Sequence, residues 1–217
     1  MRLSGCCFET ATSATEPAAR PEATAAEATR ARMASRDAAI SEASVIGSVH
    51  ALAAQAARLN REAGQPAIPA LFFFTDPGRT PDPCAVARRL PRDTAIVYRH
   101  FGAEDRVQVA RALRGIARSR QLKLLIAADE DLAAHVGADG VHWPHRLAPR
   151  TRGGGIVTVS AHDRGEVAAA ARLNADACIL SPVFPTRSAS GHKALGLFRA
   201  SQLARAAHVP VIALGGV

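Results

Sequence analysis

Residues 94–143 read TAIVYRHFGAEDRVQVARALRGIARSRQLKLLIAADEDLAAHVGADGVHW, and they contain two kinds of segment. Three short runs are apolar at nearly every position: 94–100, 123–127 and 140–143. Two longer segments between them carry apolar residues at every third or fourth position: 104–120 and 129–136. The short runs predict buried parallel strands, and the spacing in the longer segments predicts amphipathic helices. This alternation indicates an α/β fold in which helices cover a parallel sheet.

The same alternation continues on both sides of this stretch. Further strands are predicted at 70–76, 156–162, 177–183 and 210–216, and further helices at 82–90, 164–173 and 197–207. Repeats of about 20 to 30 residues favour a TIM (β/α)8-type barrel over a doubly wound sheet. A dinucleotide-binding sheet would also need Gly-x-Gly-x-x-Gly after its first strand, where this chain has Thr75-Asp-Pro-Gly-Arg79.

The predicted strands are one fewer than a closed barrel of this type contains. We therefore expect an incomplete barrel with about seven strands, which is either open or truncated at its C-terminus. Its first and seventh strands would then be exposed edges, and exposed edges favour aggregation.

The chain changes in composition along its length, which predicts three segments. Residues 1–36 are dominated by Ala, Thr, Glu and Pro, so we expect a disordered low-complexity tail. Residues 37–66 have the apolar spacing of an amphipathic helix, followed by a linker with Gly64 and Pro66. Residues 67–217 form the predicted barrel domain.

Charge and composition exclude several classes of function. The net charge of +8 falls entirely on residues 67–217, since residues 1–66 balance seven Arg with seven acidic residues. Aromatic residues make up 4% of the chain and no long Lys/Arg cluster occurs, so we expect no nucleic-acid partner. No apolar run is long enough for a membrane span, and four Cys indicate a reducing cytoplasm rather than a disulfide framework. A modest basic excess suits small anionic ligands such as phosphates.

Site residues of a parallel barrel follow the carboxyl ends of its strands. His100 and His162 end predicted strands there and are the candidates for acid–base catalysis. Gly215 and Gly216 would let backbone amides approach a phosphate, with Thr186, Arg187 and Ser188 beside them. His142-x-x-His145 has no Cys, Asp or Glu nearby to complete a metal site, so we predict no metal ligands there.

Five motifs appear together in one order: Val136-Gly-Ala-Asp-Gly-Val-His142, Thr158-Val-Ser-Ala-His162, Ser181-Pro-Val-Phe-Pro-Thr186, Gly196-Leu197 and Pro210-Val-Ile-Ala-Leu-Gly-Gly216. Over residues 69–217 they resemble thiamine phosphate synthase and its relative TenI. The resemblance implies a TIM barrel that joins hydroxymethylpyrimidine diphosphate to thiazole phosphate, with loss of pyrophosphate and help from Mg²⁺.

The resemblance also implies roles for individual residues. Ser160, Thr186 and Ser188 match positions near the diphosphate, and Gly215 and Gly216 match the backbone that holds the thiazole phosphate. Arg99 matches an arginine that follows the second strand, and Lys193 is the candidate replacement for a lysine of the strand-six loop. The implied partners are small phosphorylated substrates, and the oligomeric state is open, a homo-oligomer included.

The chain departs from the family pattern at the positions that would bind Mg²⁺. Ala127-Ala128 stands where the family has Asn-Asp, and Pro144-His-Arg-Leu147 replaces a run with a second acidic ligand. Mg²⁺ binding should be weak without these carboxylates. A TenI-like thiazole phosphate tautomerase, which needs no metal and uses the His that His162 matches, is therefore the first alternative. A non-catalytic binder of a thiazole or thiamine phosphate is the second.

Overall fold

The computed structural model describes residues 47–62, 64, 67–186 and 193–215. The predicted tail over 1–36 lies outside these residues, as do the site candidates Ser188 and Gly216. Within them, helix α1 covers residues 47–62. The elements that follow are β1 (Leu71–Phe74), α2 (Pro83–Ala87), β2 (Thr94–Tyr98), α3 (Arg106–Arg120), β3 (Lys123–Ala127), α4 (Glu130–Val136), β4 (Gly140–Trp143), a 3-10 turn (His145–Leu147), β5 (Ile156–Ala161), α5 (Arg164–Arg172), β6 (Ala177–Leu180), α6 (Gly196–Ala206) and β7 (Val211–Ala213).

The seven strands form one parallel sheet in chain order, from β1 to β7. This confirms the predicted α/β half-barrel with seven strands. Strands β1 and β7 are the two edges of the sheet among the described residues. Strand β6 ends at Leu180, earlier than predicted, because Pro182 has no N–H with which to continue the ladder. No helix of the described part of the chain is long and apolar enough to cross a membrane.

The two faces of the sheet are buried in different ways, because side chains alternate along each strand. The outer face packs against the helices in two apolar clusters, one containing Ile96, Tyr98 and Leu124, the other Val159 and Leu180. The inner face has its own small cluster over β1–β3: Ala95, Val97, Leu125 and Ala127, with Phe72 and Phe74 packed against it.

Two aspartates set the register between neighbouring strands at their amino ends. Asp139 accepts a hydrogen bond from the backbone N–H of Leu124 at 2.9 Å and pairs with Arg114 at 2.7 Å. The Asp176 carboxylate accepts a hydrogen bond from the backbone N–H of Val157 at 2.8 Å. Register decides which inner side chains are neighbours, because a slip of one residue would turn every side chain to the opposite face.

Candidate functional site

The inner face of β4 and β5 is polar, unlike the inner face of β1–β3. His142 lies on β4, and the register pairs it with Thr158 on β5. Two residues further along the strand, Ser160 lies on the same face. These side chains stand near the carboxyl end of the sheet, where the loops that follow the strands meet.

His142 connects the two hydroxyls of β5. Its Nδ1 lies 2.9 Å from Thr158 Oγ1, and its Nε2 lies 3.0 Å from Ser160 Oγ. The His142 side chain is buried, and its ring meets Phe74 edge-on at 5.2 Å between ring centroids. Burial, with a smaller contribution from the positive charge of Arg99, lowers the pKa of His142 to about 3. The imidazole is therefore neutral at physiological pH.

His162 follows β5 and is held by both its ring and its backbone. Its Nδ1–H donates to the carbonyl oxygen of Ser181 at 2.6 Å, which fixes the orientation of the ring. Its backbone N–H donates to the carboxylate of Glu166 at 2.8 Å. The spacing Asp163-x-x-Glu166 explains this arrangement, since Asp163 also caps helix α5 by accepting from the Glu166 N–H.

Arg99 brings a positive charge to the inner face from the end of β2. Its Nε–H donates to the carbonyl oxygen of Thr75 at 2.9 Å, and its guanidinium lies 5.5 Å from the centre of the Phe74 ring. The carboxylate of Asp76 is 3.7 Å away. Burial lowers the pKa of Arg99 and Asp76 opposes this shift. Arg99 is thus a fixed cation whose charge reaches His142.

The loops after β6 and β7 join at Gly215. The N–H of Phe184 donates to the Gly215 carbonyl at 3.3 Å, and the N–H of Val183 donates to that of Leu214 at 3.0 Å. Gly215 has φ of 102°, and an added Cβ would lie 3.1 Å from Pro182. Both facts favour glycine there. Thr186 is half-buried in the first of these loops, and Lys193 is exposed before α6.

His100, the other histidine predicted for acid–base catalysis, lies apart from this group. Its ring packs against that of Tyr98 at 5.0 Å, and Tyr98 belongs to the cluster between the sheet and the helices. Burial lowers the pKa of His100, against the nearby carboxylates of Asp105 and Asp76. Arg99 and Ser160 both lie around His142, and His162 follows Ser160 by two residues at the end of β5. His100 lies by the outer layer.

The sequence of this barrel matches a known family. The model of a family described as thiamine monophosphate synthase matches residues 72–217.

The chain belongs to the thiamine monophosphate synthase family.

Individual relatives agree with this family. The chain is 31% identical over 132 residues to a thiamine-phosphate synthase of Chloroflexus aurantiacus, covering 57% of this chain and 61% of the relative. It is 28% identical over 164 residues to a thiamine-phosphate synthase of Bacillus cereus, covering 67% of this chain and 73% of the relative. The structure resembles a thiamine phosphate pyrophosphorylase from Pyrococcus furiosus with a TM-score of 0.57 and 25% identity, covering 68% of this chain and 75% of that one. The chain spans only 57–62% of the length of three curated relatives, to which it is 31–35% identical.

The thiamine monophosphate synthase family generally uses Mg²⁺, so we tested whether these residues fit the ion. The carboxylates nearest the carboxyl ends of the strands already have partners. Asp76 accepts from the backbone N–H of Gly78 and Arg79, Asp129 pairs with Arg106 and caps α4, and Glu166 holds His162. No group of three His, Cys, Asp or Glu able to hold a metal occurs among the described residues. The donor set does not fit a carboxylate-bound Mg²⁺.

The sequence did not reveal the position of His142 between Thr158 and Ser160, and it suggested His142 only as a metal ligand together with His145. The signal was present in the alternation of β5, where Thr158 and Ser160 interrupt an apolar strand at every second position. A polar residue at a buried strand position needs a partner on the neighbouring strand. His142 is the polar residue on β4 that can supply one.

Proposed function

We propose that this chain acts in thiamine biosynthesis and joins hydroxymethylpyrimidine diphosphate to thiazole phosphate with release of pyrophosphate, as a thiamine phosphate synthase does. One observation carries the proposal. In a chain whose residues 72–217 match that family, Arg99 and Ser160 both occupy the inner carboxyl end of the half-barrel. Two of the side chains that the resemblance assigns to substrate binding are thus held by hydrogen bonds near the same opening, which supports the proposal.

The chemistry requires donors rather than a nucleophile of the protein. The bond between the pyrimidine methylene and the diphosphate breaks, the thiazole nitrogen forms the new bond to that carbon, and pyrophosphate leaves with both electrons. Negative charge grows on the leaving group, so fixed positive charge and N–H or O–H donors lower the barrier. Arg99 supplies the charge and Ser160 supplies a hydroxyl. In the loops joined at Gly215 the N–H groups of Val183 and Phe184 already donate to carbonyls, so the backbone donor we propose there is the N–H of Gly215 itself. Since the carboxylates do not fit Mg²⁺, no step here depends on it.

A second candidate is a TenI-like tautomerase, and the geometry of His162 favours it. The hydrogen bond from Nδ1–H to Ser181 fixes one neutral tautomer, whose Nε2 can accept a proton. Proton transfer on thiazole phosphate would need no metal.

A non-catalytic binder of thiazole or thiamine phosphate is the third candidate. For all three we propose small phosphorylated ligands and a reducing cytoplasm, which the free thiols of Cys84 and Cys178 support.

Two assays on the full chain separate these functions. Pyrophosphate release from the two phosphorylated substrates should be detected with wild-type protein, and Ser160→Ala should lower its rate by about tenfold through loss of one hydrogen bond. Arg92→Met, an exposed charge at the opposite end of β2, is the matched control and should leave the rate unchanged.

The second assay follows the interconversion of thiazole phosphate tautomers in EDTA. Turnover that collapses in His162→Ala, without pyrophosphate release in the first assay, would replace the synthase proposal by the tautomerase. Binding of thiazole phosphate without turnover in either assay would support the non-catalytic binder and contradict the two enzymes. Absence of turnover and of binding would contradict all three.

A further inference from the structure

We propose that His142 is a positioning residue, which makes the hydroxyl of Ser160 a hydrogen-bond donor directed toward the bound substrate. The identity of that substrate as a thiazole phosphate rests on the proposed function. The orientation of the hydrogen bonds does not, because it follows from burial and donor chemistry alone.

The argument begins at Thr158, whose side chain is fully buried. Among the described residues, the structure gives its hydroxyl one hydrogen-bond partner, Nδ1 of His142 at 2.9 Å. A buried O–H that donates to nothing is costly, whereas an oxygen with an unused lone pair costs less. The Thr158 hydroxyl therefore donates, and Nδ1 of His142 accepts.

This choice determines the rest of the chain of hydrogen bonds. A neutral imidazole whose Nδ1 accepts carries its proton on Nε2. Nε2–H then donates to Ser160 Oγ at 3.0 Å. Because Ser160 Oγ accepts this hydrogen bond, its own proton is directed away from His142. Ser160 is only half-buried at the inner carboxyl end. A ligand there would meet a donor, which suits a phosphate oxygen or an unprotonated ring nitrogen.

The surroundings of the ring keep this arrangement in place. Phe74 contacts the imidazole edge-on and opposes its rotation. The charged group that faces the ring is the guanidinium of Arg99, which disfavours protonation, as does burial. An imidazolium would have donors at both nitrogens and would leave the Thr158 proton without an acceptor. This chain of hydrogen bonds from Thr158 through His142 to Ser160 thus depends on a neutral His142.

The tautomer can be read directly in the unliganded full-length protein by ¹⁵N NMR of histidine-labelled samples. We expect His142 to show protonated Nε2 and unprotonated Nδ1, unchanged between pH 8 and pH 5. Protonation on Nδ1, or titration of this ring near pH 6.5, would overturn the proposal. This measurement needs no variant and no substrate.

The second experiment uses two variants that each keep one half of the imidazole. The amide of His142→Gln reaches the position of Nε2 and can still donate to Ser160, whereas that of His142→Asn reaches the position of Nδ1 and serves only Thr158. By titration calorimetry with thiazole phosphate, we expect His142→Gln to stay within about threefold of wild type. His142→Asn should lose about tenfold in affinity, as Ser160→Ala does.

Combining His142→Asn with Ser160→Ala separates a positioning role of His142 from a general loss of structure. In Ser160→Ala, adding His142→Asn should cost no further affinity, because the hydroxyl it positions is gone. Equal losses in the Gln and Asn variants, or additive losses in the double variant, would contradict the proposal. If thiazole phosphate fails to bind wild type, the proposed function fails, and the NMR result still decides the orientation of the hydrogen bonds.

Discussion

The inner face of the half-barrel divides into an apolar half on β1–β3 and a polar half on β4–β5. The first carries Phe74, Val97 and Ala127, and the second carries His142 and Ser160. Both halves share one backbone architecture, a parallel ladder with helices outside. The difference therefore lies in side chains alone, and it teaches that the same ladder can bury an apolar surface on one side and hydrogen-bonded polar side chains on the other.

Arg99 is the exception that links the two halves. It follows β2 in the apolar half, but its charge acts on His142 in the polar half. Ala127 and Ala128 stand where the family pattern has Asn-Asp, so the apolar half offers packing and one cation. We interpret the site as a cation facing a row of neutral hydrogen-bonding groups, an arrangement suited to phosphate.

The largest effect is expected in the polar half, at Gly140 on β4, which packs against Ile156 on β5. An added Cβ would lie 1.9 Å from the backbone oxygen of Ile156, and a backbone atom cannot move aside cheaply. We expect Gly140→Ala to lower the free energy of unfolding by about 3 kcal/mol or more in urea denaturation. Gly115→Ala in α3, where nothing lies within 4 Å, is the control and should stabilise by about 0.5 to 1 kcal/mol. Similar effects in both variants would refute tight packing of β4 against β5.

The next effect concerns the cation that links the halves. Arg99→Met should lower the affinity for thiazole phosphate by about 100-fold, since a charge-assisted contact in a partly buried site is lost. Arg99→Lys should recover part of the affinity but not the hydrogen bond of Nε to Thr75. Calorimetry checks both, with Arg92→Met as the control. An Arg99→Met protein that binds like wild type would remove Arg99 from the site.

Acid should act on the polar half through His142. Its pKa is about 3 in the folded protein against about 6.5 when unfolded, so the unfolded state binds more protons below pH 6.5. Stability should be full above pH 6.5 and fall as the pH drops toward 3, by about 2 kcal/mol at pH 5. His100 contributes in the same direction. Denaturation at several pH values should show a flatter profile for His142→Gln and an unchanged one for His50→Gln on exposed α1. A wild-type profile in His142→Gln would contradict this assignment.

The smallest effect lies at the end of β3 in the apolar half. Ala128 has φ of 52°, a left-handed conformation that costs a residue with a Cβ about 1 kcal/mol or more. Ala128→Gly should therefore stabilise the protein by about 0.5 to 1 kcal/mol in thermal or urea unfolding. The neighbouring Ala127→Gly removes a fully buried methyl group from a strand and should destabilise it. Destabilisation by both substitutions would show that the conformation of Ala128 carries no strain.

The sequence predicted most of the architecture because apolar runs and helical spacing reflect burial directly. Strands β3 and β4 have the predicted bounds, and β6 and β7 end earlier where the loops pair irregularly through Val183 and Leu214. The site was harder to predict. Ser160 and His162 were proposed from position and resemblance, and their roles stay predictions. The partner of His142 depends on a register between residues 16 apart. The placement of His100 against Tyr98 depends on which face a residue takes after its strand has ended. Ser188 and Gly216 stay predictions.

The central claim is that a phosphorylated ligand binds at the inner carboxyl end, between Arg99 and the polar half. The most direct test is ¹⁵N NMR mapping of the full chain titrated with thiazole phosphate in EDTA. We predict the largest shifts at the Arg99 Nε–H and at the backbone amides of Ser160, His162 and Gly215. Shifts confined to the opposite end of the sheet, around Ile68 and Lys123, or no shifts at saturating ligand, would contradict the account.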